Sequence, residues 1–403
     1  MITIASFLHR DELKALMGRW LVHDFHPDDP ARIKQLVNFN SLFIRHARER
    51  FSQEMLPAIY GGKIEAFPVS TKGQFKDLLI QSPDAYGCKD LRHVMKRINN
   101  YKAQPELFFR EMPFEGIAYR SKNERILVAA SRIKRVRRIA EKCSRRIVDA
   151  VFAMAALEIS ALGQSRTETP NGAAPQLDSN IEPNGQVLVE AEQRVLNGIK
   201  SGRFGTIDSP LVINDVIGFK LLGDEGVLEA FGAWVDARPD LEVIDQEEHR
   251  GNYNATNIIL RWRMSEQDLL FGSISKKVER ILRKRSMTGD LNAGLRRFVR
   301  DGEDTINLEI LVQRYEEALE SEIGRSMHEE RIIRQREEQL YRGYVARNIA
   351  VLTQFLFSFA LSRRVSLDEI PLKLWVRYMP ETHDHIIYSL TDDFPAGELG
   401  IVP

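Results

Sequence analysis

The sequence predicts an α+β fold: a mixed β-sheet flanked by helices, with helical regions before and after it. Three observations carry this expectation. Short apolar stretches with strand-like alternation recur between residues 211 and 313. On either side, apolar residues return at three- and four-residue spacing, the helical period. A segment rich in Pro, Gly, Asn and Ser, residues 163–186, separates the two halves. Strands interleaved with helices bury their apolar faces as stacked layers.

In chain order, Asp11 is placed to cap a helix that carries Leu13, Leu16, Met17 and Leu21 on one face. The run from Pro27 to Pro30 breaks it, and a second helix follows from Ala31 to Met55, ended by Pro57, Gly61 and Gly62. Between Arg120 and Arg146 the chain is strongly basic, while Ile133, Val136, Ala140, Cys143 and Ile147 keep helical spacing. This reads as a basic amphipathic helix, either a solvated face or a surface for phosphate or RNA. The segment 163–186 reads as a linker.

Beyond it, a helix is expected from Val187 to about Lys200, and Leu211–Leu222 reads as a turn leading into a strand. Gly226–Ala237 is a short helix; Leu241–Ile244, Asn257–Arg263 and Thr305–Val312 are strands. A basic helical insertion occupies 265–303, and a long charged helix begins near Arg314. The expected organisation is a helical region 1–162, the linker 163–186, a sheet domain 187–345 containing the insertion, and a helical extension 346–403.

Composition narrows the function classes. Lys plus Arg and Asp plus Glu number 57 each among 403 residues, so only local charge points to a partner. Cys88 and Cys143 form no Cys-x-x-Cys pair, against a zinc or disulfide framework, and a reducing cytoplasm is expected. No signal peptide is visible at Met1–Arg10. The apolar stretch Asn348–Ser362 carries Thr, Gln and Ser and is read as a buried helix, not a membrane span.

Three segments carry chemistry together. Asp215, in Asn-Asp-Val-Ile-Gly-Phe-Lys, begins an apolar strand. There a carboxylate can hold Mg²⁺, which takes one or two carboxylates plus phosphate oxygens. Tyr253, in Gly-Asn-Tyr-Asn-Ala-Thr-Asn, offers a ring for a purine to stack on. Glu309, in Asn-Leu-Glu-Ile-Leu-Val, is a second acid among apolar residues, able to share the metal or accept a proton. Singly, each is more often structural.

In order and local spacing the set resembles the synthetase domain of the RelA/SpoT family, a nucleotidyltransferase-like fold. Asp215-Val-Ile-Gly-Phe-Lys220 is similar to that family's Asp strand, with Lys for Arg. The run Asn252 to Asn257 stands for its Tyr segment, with Asn257 in place of His. Glu309-Ile-Leu-Val-Gln313 followed by Glu322, Gly324 and His328 is similar to its closing Glu strand and helix. The resemblance implies Mg²⁺-dependent transfer of pyrophosphate from ATP to the 3′-hydroxyl of a guanine nucleotide, or of a tRNA end. Asp215 and Glu309 would hold the metal and carry the catalysis, Tyr253 would stack on the acceptor base, and Lys220 would lie near phosphates. The family's R-x-K-S segment for ATP phosphates is expected a short way before Asp215 but is absent around residues 185–190. Lys200 and Arg203 are the nearest cations, and Arg120-Ser-Lys122 is an R-x-K far upstream. The basic segments 120–146 and 276–300 would suit an RNA acceptor. The alternative expectation is a nucleotide- or RNA-binding sensor that has lost catalysis.

Overall fold

A computed structural model describes residues 2–123, 125–164, 211–251, 254–265, 272–324, 344–367 and 369–390, with a few isolated residues between them. Two short strands, β1 (Ile2–Ile4) and β5 (Leu211–Ile213), pair in parallel as a separate ribbon. The main sheet has seven strands. Their spatial order is β2 (Ile64–Thr71), β3 (Pro113–Ser121), β4 (Leu127–Ile133), β6 (Ile217–Leu222), β9 (Thr305–Gln313), β8 (Ala255–Arg263) and β7 (Leu241–His249). Only β6 and β9 run parallel; every other neighbouring pair is antiparallel. A parallel pair places the same ends of two strands side by side. Here the register sets Gly218, three residues after Asp215, beside Glu309 in the middle of β9.

The mixed, helix-flanked sheet agrees with expectation. The expected helical region 1–162 does not: it supplies three of the seven strands, and β4 pairs directly with β6. The division expected near residue 187 therefore cuts through one sheet. β2 hid because it is an edge strand with a mostly solvent-facing pattern and an internal Pro68. The expected basic helix 120–146 is also corrected. Residues up to Ile133 belong to the β3–β4 hairpin, and the helix, α5, spans Val136–Gln164. The segment 163–186 lies almost wholly outside the described residues.

Alternation sorts the sheet into two faces, as β9 illustrates. Ile306, Leu308, Ile310 and Val312 are buried on one side, while Thr305, Asn307, Glu309, Leu311 and Gln313 point to the other. The apolar face packs on α2 (Asp29–Tyr60). Phe51 of α2 meets Phe219 of β6 and Trp262 of β8, each with ring centroids 5.4 Å apart. Pro57 does not end α2; the helix runs one turn further and stops at Gly61, whose φ of +67° suits glycine. Beside α2 lies α6 (Glu225–Asp236), which also touches β7, and α10 (Tyr344–Leu361) packs against α2 and along α5. Among the described residues α10 is the one helix long and apolar enough to cross a membrane, yet 61% of it is buried inside the fold. The insertion forms α7 (Lys276–Lys284) and α8 (Leu291–Arg300), and the chain closes with α11 (Pro380–Tyr388).

The opposite face is half covered. Over β2, β3 and β4 lie α3 (Lys72–Leu79), α4 (Leu91–Ala103) and α9 (Tyr315–Leu319), with Phe75, Leu79, Ile98 and Leu319 in a second apolar cluster. The polar strip of β4, β6, β9 and β8 beside that cluster forms the site described below.

One buried cation in the helical layer gives a stability prediction. Lys34 of α2 is 3% exposed, donates to the Ser362 carbonyl and lies 5.4 Å from the centre of the Phe359 ring. Burial, helped by the nearby Arg285 cation, pushes its pKa down to about 8. The unfolded lysine has its ordinary value near 10.4. Between those two values the unfolded chain binds more protons, so stability rises with pH across that window. Relative to Lys34→Met, the wild type is expected to gain about 2 kcal/mol between pH 7.5 and 9.5. Urea denaturation of both proteins at the two pH values measures this; parallel pH dependence in both would contradict it.

Candidate functional site

The sheet register assembles the site. One row across the polar face reads Arg132 of β4, Gly218 of β6, Glu309 of β9 and Ile259 of β8. The next row reads Ala130, Lys220, Leu311 and Asn257. Arg132 and Glu309 stand two strands apart, roughly 10 Å between backbones. Their side chains nevertheless meet, Arg132 Nη2 donating to Glu309 Oε2 at 3.1 Å. They do so across Gly218, where no side chain intervenes. A Cβ built at Gly218 would come within 3.1 Å of Glu309 Oε2 and 3.3 Å of Arg132 Nε. Gly218→Val is therefore expected to part this pair and to cost about 1–3 kcal/mol through overpacking, with Gly218→Ala costing less. Chemical denaturation checks this, and a valine variant as stable as wild type would contradict it.

Asp215 sits just before β6, where the chain leaves the β1–β5 ribbon. Lys134 follows β4 and is tied there by its backbone N–H to the Val216 carbonyl, 2.8 Å. Its ammonium donates to the Asp215 carbonyl at 2.9 Å and pairs with the Asp215 carboxylate. Lys142, further along α5, reaches the same carboxylate oxygen. Burial alone would raise the Asp215 pKa; the two ammoniums outweigh it and hold the carboxyl well below the usual carboxylate range. Lys134, buried and flanked by the Arg132 and Lys142 cations, is pushed down to about 7 despite Asp215. Both lysines bind Oδ2, and Oδ1 of Asp215 is buried with no hydrogen-bond partner among the described residues.

Arg132 links the two acids. Its guanidinium is partly exposed, and burial working against its charge is outweighed by Glu309, Asp215 and Glu322, which raise its pKa. The expected basic face of 132–142 is thus partly an inward set: Arg132, Lys134 and Lys142 serve the site, while Arg135, Arg137, Arg145 and Arg146 face solvent. Next to them, Glu322 on the π-turn Glu320–Gly324 is 2% exposed and accepts from two lysines. Lys72 of α3 reaches its two oxygens at 3.0 and 2.9 Å, and Lys220 reaches Oε1 at 3.0 Å. Burial lowers the Lys220 pKa, and Lys72 adds to this, while Glu322 opposes it.

Around Asp215, Glu309 and Glu322 the site gathers Arg132, Lys134, Lys142, Lys72 and Lys220. Five basic groups against three acids leave a positive excess suited to an anionic ligand, short of two full charges near pH 7 because Lys134 titrates there. Comparisons with protein-family models, with functionally described proteins and with solved structures return no match. The functional reading therefore rests on this geometry.

Of the expected residues, Asp215, Glu309, Lys220 and Asn257 share the region. The Asn257 carboxamide oxygen is buried there with no hydrogen-bond partner among the described residues. Tyr253, Lys200, Arg203 and His328 lie outside the described residues. The upstream pair Arg120 and Lys122 does not belong to the site; both pair with Glu65, at 3.0 and 3.5 Å. Arg132, Lys134 and Lys142, expected only as part of the basic 120–146 surface, are instead paired with Asp215 and Glu309. Their signal was in view: Arg132-Ile133-Lys134 is itself an R-x-K, at the end of β4. It lies upstream of residues 163–186, as Arg120-Ser-Lys122 does, but at the other end of the β3–β4 hairpin.

Proposed function

We propose that the chain is a diphosphotransferase of RelA/SpoT type, with a nucleotidyltransferase-like sheet. It moves pyrophosphate from ATP to the 3′-hydroxyl of a guanine nucleotide or of a tRNA end. One observation carries the reading: Arg132-Ile133-Lys134 and Lys142 stand against the Asp215 and Glu309 pair, so cations suited to a triphosphate adjoin acids suited to its metal.

The residues fit Mg²⁺. Asp215 keeps one buried oxygen without a hydrogen-bond partner among the described residues, and at Gly218 no side chain crowds the Glu309 carboxylate, which pairs with Arg132. Among the described residues no cluster of three or more His, Cys, Asp or Glu occurs, so the metal would be completed by phosphate oxygens and water. When bound, Mg²⁺ would neutralise phosphate charge during transfer.

The chain's own groups do the rest. Arg132, Lys134 and Lys142 bind phosphate oxygens, and in doing so the lysines release Asp215. Glu309 takes the proton of the acceptor 3′-hydroxyl. That oxygen bonds to the β-phosphorus, the bond from the β-phosphorus to the α,β-bridging oxygen breaks, and AMP leaves. By the resemblance Tyr253 would stack on the acceptor base, and Lys220, Lys200, Arg203 and Asn257 would be further nucleotide contacts. A tRNA acceptor would also use the exposed cations of α7 and α8, such as Lys277, Arg280 and Arg297. Nucleotide substrates imply a cytoplasmic protein.

Incubation with γ-labelled ATP, Mg²⁺ and GDP, GTP or tRNA tests the proposal. Label on an acceptor with matching AMP release is expected; label on none of them would overturn it. A second reading, a nucleotide-binding sensor without turnover, draws on the closure of both lysines on Oδ2 of Asp215, which neutralises that carboxylate without a metal. It predicts calorimetric nucleotide binding with no AMP released.

A further inference from the structure

A strap from the first residues of the chain is laced between the two segments that carry Asp215 and Glu309. On one side β1 pairs with β5, and the Ala5 N–H donates to the Ile213 carbonyl at 3.1 Å, two residues before Asp215. On the other side the Ala5 carbonyl accepts from the Asn307 N–H at 3.2 Å, and Ser6 Oγ donates to the Asn307 carbonyl. Arg10 and the backbone of His9 hold the approach to β9 through Glu303 and Thr305. The strap is deeply buried: Ile2, Ile4, Ala5, Ser6 and Leu8 are at most 2% exposed.

Asn307 is where these threads cross. Its backbone N–H and C=O both serve the strap, and its side chain donates to Asn214 Oδ1 at 2.8 Å. Asn214 immediately precedes Asp215, and Asn307 lies two residues before Glu309 on the same face of β9. A single buried side chain thus bridges the roots of both acids.

We propose that Asn307 is a positioning residue that fixes the separation of Asp215 and Glu309, with the strap Ile2–Ser6 as its anchor. The functional part of this rests on the diphosphotransferase reading; the positional part does not. In an apolar setting the bridge restricts the chain where Asp215 leaves the ribbon. A carboxylate displaced by even an ångström costs about 10²-fold in a reaction that depends on alignment.

Asn307→Ala removes the bridge. Asn307→Asp keeps a partner for Asn214, whose amide can turn and donate. Two measurements are made on each full-length variant. Hydrogen exchange of the backbone amides from Leu211 to Ile217 needs no turnover; it is expected to quicken in Asn307→Ala and to return toward wild type in Asn307→Asp. In the transfer assay, Asn307→Ala is expected to lose about 10–100-fold in kcat. Its half-saturating Mg²⁺ should rise while KM for ATP is kept. Loss of folded protein alone would lower kcat without moving the Mg²⁺ midpoint. If the wild type transfers nothing, the catalytic reading fails and exchange alone decides the positioning. Unchanged exchange over 211–217 in Asn307→Ala overturns the proposal whatever the turnover, as does a kcat loss with the Mg²⁺ midpoint unmoved.

Discussion

Glu309→Gln is expected to lower pyrophosphate transfer by about 10³-fold while leaving stability close to wild type. The variant keeps shape and hydrogen bonding but gives up the charge that would hold a metal and the lone pair that would take a proton. Its partner Arg132 is partly exposed and retains Asp215 and Glu322 nearby, so no cation is stranded. Asp215→Asn should behave differently. It loses transfer as well, but it also removes the paired anion of the buried Lys134 and of Lys142. A joint loss of activity and denaturation midpoint is expected there. Paired kinetics and urea unfolding of the two variants separate a metal-holding acid from an acid that also braces the fold. Unchanged turnover in Glu309→Gln would remove it from the chemistry.

The largest stability effect is expected at Glu322. Its carboxylate is the shared counter-ion of Lys72 and Lys220, which come from α3 and β6, and both ammoniums lie 5.9 Å from the centre of the Phe75 ring. Glu322→Gln strands two cations among apolar groups. Removing one partner of a buried ion pair costs about 3–5 kcal/mol, because the remaining charge is left uncompensated. The combination Glu322→Gln with Lys72→Met should recover part of that loss, since one stranded charge then becomes an apolar side chain. Chemical denaturation of the single and double variants measures both. A single variant within about 0.5 kcal/mol of wild type would mean that water reaches the cluster freely.

How much of this was legible in the sequence follows from how local each signal is. β6, β8 and β9 were readable because their apolar residues alternate against one buried face, as Ile306, Leu308, Ile310 and Val312 do. Asp215 and Glu309 were readable as acids set among such residues. β2 and β4 were not, because β2 is largely solvent-facing and β4 fills its middle with Ala129 and Ala130. The strand character of β2 comes from pairing with β3, about forty residues on, and β4 is held between its hairpin partner β3 and the distant β6. The closeness of Arg132 and Lys134 to Asp215 is hidden for a related reason. Residues 163–210 lengthen the chain between them and Asp215, yet β4 and β6 are adjacent in the sheet. Loop-closure cost grows only slowly with length, so residues far apart in sequence can be neighbours in the sheet. The Lys72–Glu322 pair joins residues 250 positions apart, and no local pattern announces it.

The most direct test of the central claim is to locate the metal. Crystals grown with Mn²⁺ and a non-hydrolysable ATP analogue would be measured for anomalous scattering. The account predicts one peak bonded to carboxylate oxygens of both Asp215 and Glu309, about 2.2 Å from each, with the triphosphate on Arg132, Lys134 and Lys142. A nucleotide seated elsewhere, or a metal held without these two acids, would contradict it.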